Sequence, residues 1–283
     1  MKSIDLCNQM ENDFRLSICS DNWSEMDMNE YVTNQYRERY MGLISDNSDS
    51  INYAYTAVFP SKIVLEKIVA DNRREALLFL HHPMQWVMPD IPVFTDIPKD
   101  YLRKLKERNI SIYNLHVPLD ANGEFGTTYN FAKAVGIGMT DEFYEYHGVN
   151  VGIIGTTECQ TITLLMQRFE SAVGHEVVLY PYGAETIKDN RVALVAGGGN
   201  DAAVYPGLRE RGINTYLTGI MNMKTGYQPS IDGHNSAKEN GINVLAGTHY
   251  STEKFACMKM VEYFSRLGIS GEFIPDIPCL DDM

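Results

Sequence analysis

Hydrophobic and polar positions fall into distinct regimes along this chain. Residues 1–50 are polar, with scattered Asn, Asp, Met and Tyr. Their pattern supports an exposed helix in MNEYVTNQYRERY and a loop in SDNSDS (45–50). From residue 52 the order sharpens. NYAYTAVF (52–59) alternates and is rich in β-formers, so it reads as a strand. SKIVLEKIVADN carries apolar residues at 63, 64, 65, 68 and 69, which is helical spacing, with Ser61 as its N-cap. ALLFL (76–80) is a short buried strand, KDYLRKLKERN a helix, and ISIYNL a further strand. Strand and helix thus alternate as in a mostly parallel sheet.

Residues 126–190 are less regular. GTTECQTITLLMQRFESAV holds an amphipathic helix, and HEVVLYPYG a strand and turn. The alternation then returns. RVALVA, INTYLTG and INVLAGTHY read as strands. DAAVYPGLRERG reads as a helix interrupted by Pro206, and HNSAKENG as a helix end stopped by Gly241. STEKFACMKMVEYFSRLG is a long final helix, followed by an extended tail, EFIPDIPC. The expected fold class is α/β with mixed, largely parallel sheets.

Three apolar β runs end in residues that carry chemistry. ALLFL is followed by His81 and His82, YNL by His116 and Asp120, and NVLAGT by His249 and Glu253. Carboxyl ends of strands line the ligand crevice of open α/β sheets, so three distant segments can converge there. His249 and Glu253, four residues apart, share one helix face. His116 and Asp120 have the same spacing, but Pro118 between them predicts an extended loop. Neighbouring His81 and His82 are expected to point in different directions, as in a strand. A doubled histidine therefore suits two ions better than one.

Imidazole with carboxylate suits zinc, iron or manganese. Two ions ~3.5–4 Å apart share a water and lower its pKa, yielding hydroxide at neutral pH. A carboxylate, Glu253 or Asp120, would bridge them. The other histidines read more plainly: His147 and His175 as structural, and His234 as a helix cap or cleft residue. Gly197, Gly198 and Gly199 follow a strand. They serve either as an anion cradle or as a tight turn needing positive φ. Neither GxGxxG nor a Walker pattern is present, and there is no GxSxG.

Net charge is −13, which disfavours nucleic-acid partners. The five cysteines are widely spaced without a CxxC, so they read as reduced thiols of a cytoplasmic protein. The N-terminus, MKSIDLCNQMENDFRLSICSDNW, has too many polar breaks for a signal peptide, and no apolar run is long enough for a membrane helix.

Together, HHP, HVPLDANGEFG, RVALVAGGGND and LAGTHYSTEKFA resemble the NIF-three-like dinuclear metal-centre family, also called GTP cyclohydrolase I type 2. The likeness runs from about residue 40 to the C-terminal IPDIP. It implies two intertwined, similar α/β lobes. Lobe one spans about 40–125 and is completed by the C-terminal segment; the middle and second lobe span about 126–245. It implies metal ligands at His81, His82, Asp120, His249 and Glu253. His82 and Asp120 would hold one divalent ion, His81 and His249 the other, with Glu253 bridging. His116 is implied as a residue next to the metals that either supports the ligands or transfers a proton, His234 as a cleft histidine, and the glycine run as a turn near the site. A toroidal homo-hexamer and a small-molecule substrate, a nucleotide such as GTP, are implied as well. The implied activity is metal-dependent hydrolysis with catalytic Glu253 and His116; a non-catalytic metal-binding regulator or scaffold of the same fold is the alternative. Two departures stand out. Ile220 occupies a position where the family often has a carboxylate, and Thr248 stands where it has glycine.

Overall fold

A computed structural model describes residues 1–224 and 226–283. The first sheet has the order β1, β6, β3, β2, β13. These are β1 (Gly42–Ser45), β2 (Tyr53–Ala57), β3 (Ala76–Leu80), β6 (Ile110–Asn114) and β13 (Ser270–Phe273). All pairings are parallel except that of β1. Between β3 and β6 a hairpin of β4 (Gln85–Val87) and β5 (Val93–Thr95) projects. The second sheet runs β7 (Gly138–Tyr146), β8 (Val149–Thr156), β10 (Arg191–Leu194), β11 (Thr215–Thr218), β12 (Asn243–Ala246) and β9 (Val178–Tyr180). Its centre, β10 to β12, is parallel, and its flanks are antiparallel. The chain is therefore α/β with mixed, largely parallel sheets, as its alternation predicts.

Each sheet is covered on both faces, and the period of two decides what goes where. In β3, Ala76, Leu78 and Leu80 pack with α3 (Lys62–Asp71) and α4 (Lys99–Glu107), through Leu65, Ile68, Leu102 and Leu105. Leu77 and Phe79 turn the other way, to α1 (Ser3–Asp13) and α10 (His249–Arg266), meeting Met10, Met260 and Phe264. In the second sheet, Val192 and Leu194 face α6 (Thr127–Ala134) and α7 (Ile162–Val173). Ala193 and Val195 face α8 (Val204–Glu210) and α9 (Gln228–Asn240). Among the described residues, no helix is long and apolar enough to cross a membrane, and all five cysteines are free thiols.

Several local expectations meet a different outcome. Ser61 caps α3 as expected, its hydroxyl accepting from Val64 N at 3.2 Å. Pro206 does not interrupt α8, because it sits in the first turn, where its missing N–H has no intrahelical partner to lose. His116 to Asp120 is not an extended loop. Val117–Asp120 forms a helical turn, α5, with the proline at its start, a position proline suits. In the polar N-terminal region only α2 (Asn34–Arg39) answers to the expected helix; α1 lacked a clear apolar stripe. The β7–β8 hairpin lies in the segment that showed no regular pattern.

Candidate metal centre

The carboxyl ends of β3, β6 and β12, drawn from both sheets, converge on the first turn of α10. Thr248 is its N-cap and accepts from Ser251 N at 3.1 Å, which starts the helix with His249 and Glu253 stacked four apart on one face. Glu253 is the hub. Its Oε1 lies 3.2 Å from His249 Nε2 and 3.5 Å from His81 Nε2, and its Oε2 lies 3.0 Å from His82 Nε2. Asp120 Oδ1 stands 3.5 Å from His81 Nε2 and accepts from Thr127 Oγ1 at 2.7 Å.

The adjacent histidines therefore do not diverge. Both lie beyond the last residue of β3, free of its pleat, and both rings reach Glu253. The donor atoms fall into overlapping groups. Donor atoms of His81, Asp120 and Glu253 cluster, as do those of His82, His249 and Glu253. A further cluster joins His81, His82 and His116.

The donor chemistry fits a metal. His81 Nδ1 lies 2.9 Å from the Leu115 carbonyl, which only accepts, so Nδ1 donates there and Nε2 is the nitrogen that faces Glu253 and Asp120. That Nε2 is buried without a hydrogen-bond partner; the nitrogens that His82 and His249 leave unpartnered are Nδ1, not the Nε2 that face Glu253. Orphaned buried nitrogens are costly unless something absent here satisfies them. Burial disfavours charge on Glu253, yet His249, His82 and His81 hold its carboxyl well below the usual range. Burial keeps His82 neutral despite Glu253, with its pKa well below the usual imidazole value. His81 is opposed by burial but raised to about 9 by Asp120 and Glu253. Ionised carboxylates and deprotonated imidazoles are what a divalent ion requires, and an ion would replace the proton His81 otherwise holds.

Aromatic rings fix this cluster. Phe59 stacks on His82 at 4.6 Å, and Phe94 of the β4–β5 hairpin stacks at 5.4 Å. Trp86, from the same hairpin, meets the His249 ring edge-on at 4.9 Å. Asp21, unnoticed in the sequence, is nearly buried and faces His116 Nδ1 at 3.1 Å, leaving Nε2 directed toward Asp120. It also accepts from Trp23 Nε1 and Asn22 N. Burial opposes charge on His116, but Asp21 raises its pKa above the usual imidazole value. Asp282 was missed too. Its carboxylate accepts from His249 N at 2.9 Å and Trp86 Nε1 at 2.8 Å. The Asp-Asn-Trp triplet offered a faint signal for Asp21; nothing marked Asp282.

The glycine run is a turn. Gly197 has φ +67, and a Cβ there would lie 2.0 Å from Glu253 Oε1. Its N–H is donated to Thr252 Oγ1 at 2.9 Å, and its carbonyl accepts from Gly219 and Ile220. Gly198 and Gly199 line the cleft. His234 does not. It donates from Nε2 to the Met221 carbonyl and accepts from Tyr182 Oη, so both nitrogens are spent behind the wall that Ile220 forms. His175 bonds Ser251 and the Glu176 carbonyl, a structural role as expected, whereas His147 stands on the rim of the cleft. The cleft above the cluster has a volume of ≈ 480 Å³.

These features define an α/β protein with a His and carboxylate set able to hold metal at the floor of a cleft. The chain belongs to the Duf34/NIF3 (NGG1p interacting factor 3) family, whose pattern matches residues 28–275. It is 30% identical over 239 residues to an Archaeoglobus fulgidus protein named GTP cyclohydrolase 1 type 2 homolog, covering 83% of this chain and 86% of the relative. A Pyrococcus horikoshii protein of the same name is 26% identical, covering 82% and 88%. Among solved structures, protein ybgI, described as of unknown function, superposes with a TM-score of 0.76 at 22% identity, covering 99% of this chain and all of the other. Reduced HcgD from Methanocaldococcus jannaschii gives 0.69 at 21%, covering 98% of each. Both likenesses concern the fold.

Proposed function

We propose that this chain is a metal-dependent hydrolase acting on a small, nucleotide-like molecule. The observation that carries this is Glu253, whose Oε1 faces His249 and His81 and whose Oε2 faces His82, at the floor of the cleft. His81, His82, Asp120, His249 and Glu253 would together hold two divalent ions, with Glu253 common to both. Zinc, iron or manganese suits that donor set. Ions held there supply Lewis acidity, which lowers the pKa of water and stabilises a developing oxyanion. His116, with Nδ1 turned to Asp21, keeps Nε2 toward the reacting region and moves the proton. Phe59 and Phe94 exclude water around His82 and hold its ring. The hexamer carried over from the family likeness belongs to this proposal, and light scattering tests it.

Elemental analysis of purified wild type and His82→Ala tests the centre. About two transition-metal ions per chain are expected in the wild type and fewer in the variant. Little metal after reconstitution with zinc, manganese and iron would refute the centre. Hydrolysis of a nucleotide panel then tests catalysis, and activity unaffected by Glu253→Ala would refute the assigned chemistry.

A further inference from the structure

The cleft is aromatic and acidic. Trp23, Trp86, Phe94, Tyr144, Tyr146 and Tyr227 all line it. Among the described residues, none of those lining it is Lys or Arg, while Asp21 and Glu25 add negative charge beyond the candidate ligands. Binding of phosphate chains relies on Arg, Lys, helix N-termini or metal ions, and here only the proposed metal centre at the floor could serve. The glycine run supplies little of this. The amides of Ala196 and Gly197 are already donated to Thr128 and Thr252, and α8, which follows, is a helix of seven residues. What remains at the turn, Gly198 and Gly199, suffices for one polar group. Ile220 adds another apolar surface to the wall. A volume of ≈ 480 Å³ is of the size of small-molecule pockets, large enough for a planar heterocycle with a sugar.

We infer that the cleft takes a planar heteroaromatic compound of nucleobase or nucleoside type, without a polyphosphate tail. Aromatic walls stack on its π-face, and the amide atoms that Asn22 and Asn200 do not commit to Ser24 and Ser230, Nδ2 of the first and Oδ1 of the second, are left for its edge. Any single anionic substituent would sit at the metal floor; a triphosphate would extend past it among carboxylates with no counter-charge. This rests on the metal-centre reading above and narrows it.

The chain's only two tryptophans, Trp23 and Trp86, both line the cleft, so intrinsic fluorescence reports its occupancy directly. Full-length protein of measured metal content is titrated with guanosine, adenosine, GMP, GTP and inorganic tripolyphosphate. Quenching by guanosine at a concentration at least about tenfold below that needed for GTP, with tripolyphosphate a weak competitor, is the expected result. GTP binding as tightly as guanosine, or tripolyphosphate displacing guanosine, overturns the inference. So does metal-loaded protein that responds to neither guanosine nor adenosine. Protein that takes up no metal overturns the underlying reading instead, which the metal assay shows separately. A Glu25→Lys variant, which places a cation in the wall, is expected to shift preference toward GTP; an unchanged ratio also counts against the inference.

Discussion

Asp282 anchors the metal cluster from outside it, and its loss is open to a quantitative test. The side chain is fully buried, one oxygen accepting from the Trp86 indole at 2.8 Å and the other from His249 N at 2.9 Å. It therefore ties the hairpin that roofs the site to the first residue of α10, and it places a carboxylate at the positive end of an 18-residue helix. Asp282→Ala strands two buried donors, each at a cost of about 1–3 kcal/mol, or roughly 2–6 kcal/mol together. At about 2–4 °C per kcal/mol for large domains, the melting temperature should fall by of the order of 10 °C. His249 and Trp86 would loosen together, so metal affinity should drop by about 10–100-fold, as for other residues that orient a ligand. Asp282→Asn retains one acceptor and should fall between. Thermal melts with and without metal, and chelator competition, measure both quantities. An alanine variant that melts within about 1 °C of wild type and keeps its metal would refute the anchoring argument.

Other positions give independent tests. Gly197→Ala places a methyl against Glu253 at a positive φ, costing about 1–2 kcal/mol in backbone strain alone, and should abolish full metal loading; normal metal content would contradict the close approach. Thr248 is held at φ 68, ψ 148, a region almost reserved for glycine. Thr248→Gly and Thr248→Ala both lose the capping hydroxyl, so the glycine variant should be the more stable by about 1 kcal/mol in urea melts, and equal stability would argue against strain. Burial lowers the pKa of His234 below the usual imidazole value, outweighing its bond to Met221 O. Below pH about 6.5 the unfolded chain gains a proton that the folded chain resists, so stability falls with pH until the folded pKa is passed. His234→Asn should show a shallower loss between neutral pH and about pH 5 in urea melts of metal-saturated protein; identical slopes would refute this assignment.

Sequence by itself determined the elements whose pattern is local. The strands around 53–57, 76–80 and 110–114, the Ser61 cap and the first-turn pairing of His249 with Glu253 follow from periods of two and 3.6. It also placed histidines and carboxylates at three strand ends. Tertiary structure alone decided how they meet. That His81 and His82 both turn to Glu253 depends on the chain leaving the pleat after Leu80, which no periodicity records. Asp21 and Asp282 lie 95 and 33 residues from the groups they hold, His116 and His249, and a hydrogen bond between distant segments leaves no spacing to read. Gly197 shows the same division. The sequence marked a turn, but only the approach of Glu253, from an element 56 residues away, shows why a side chain has no room there.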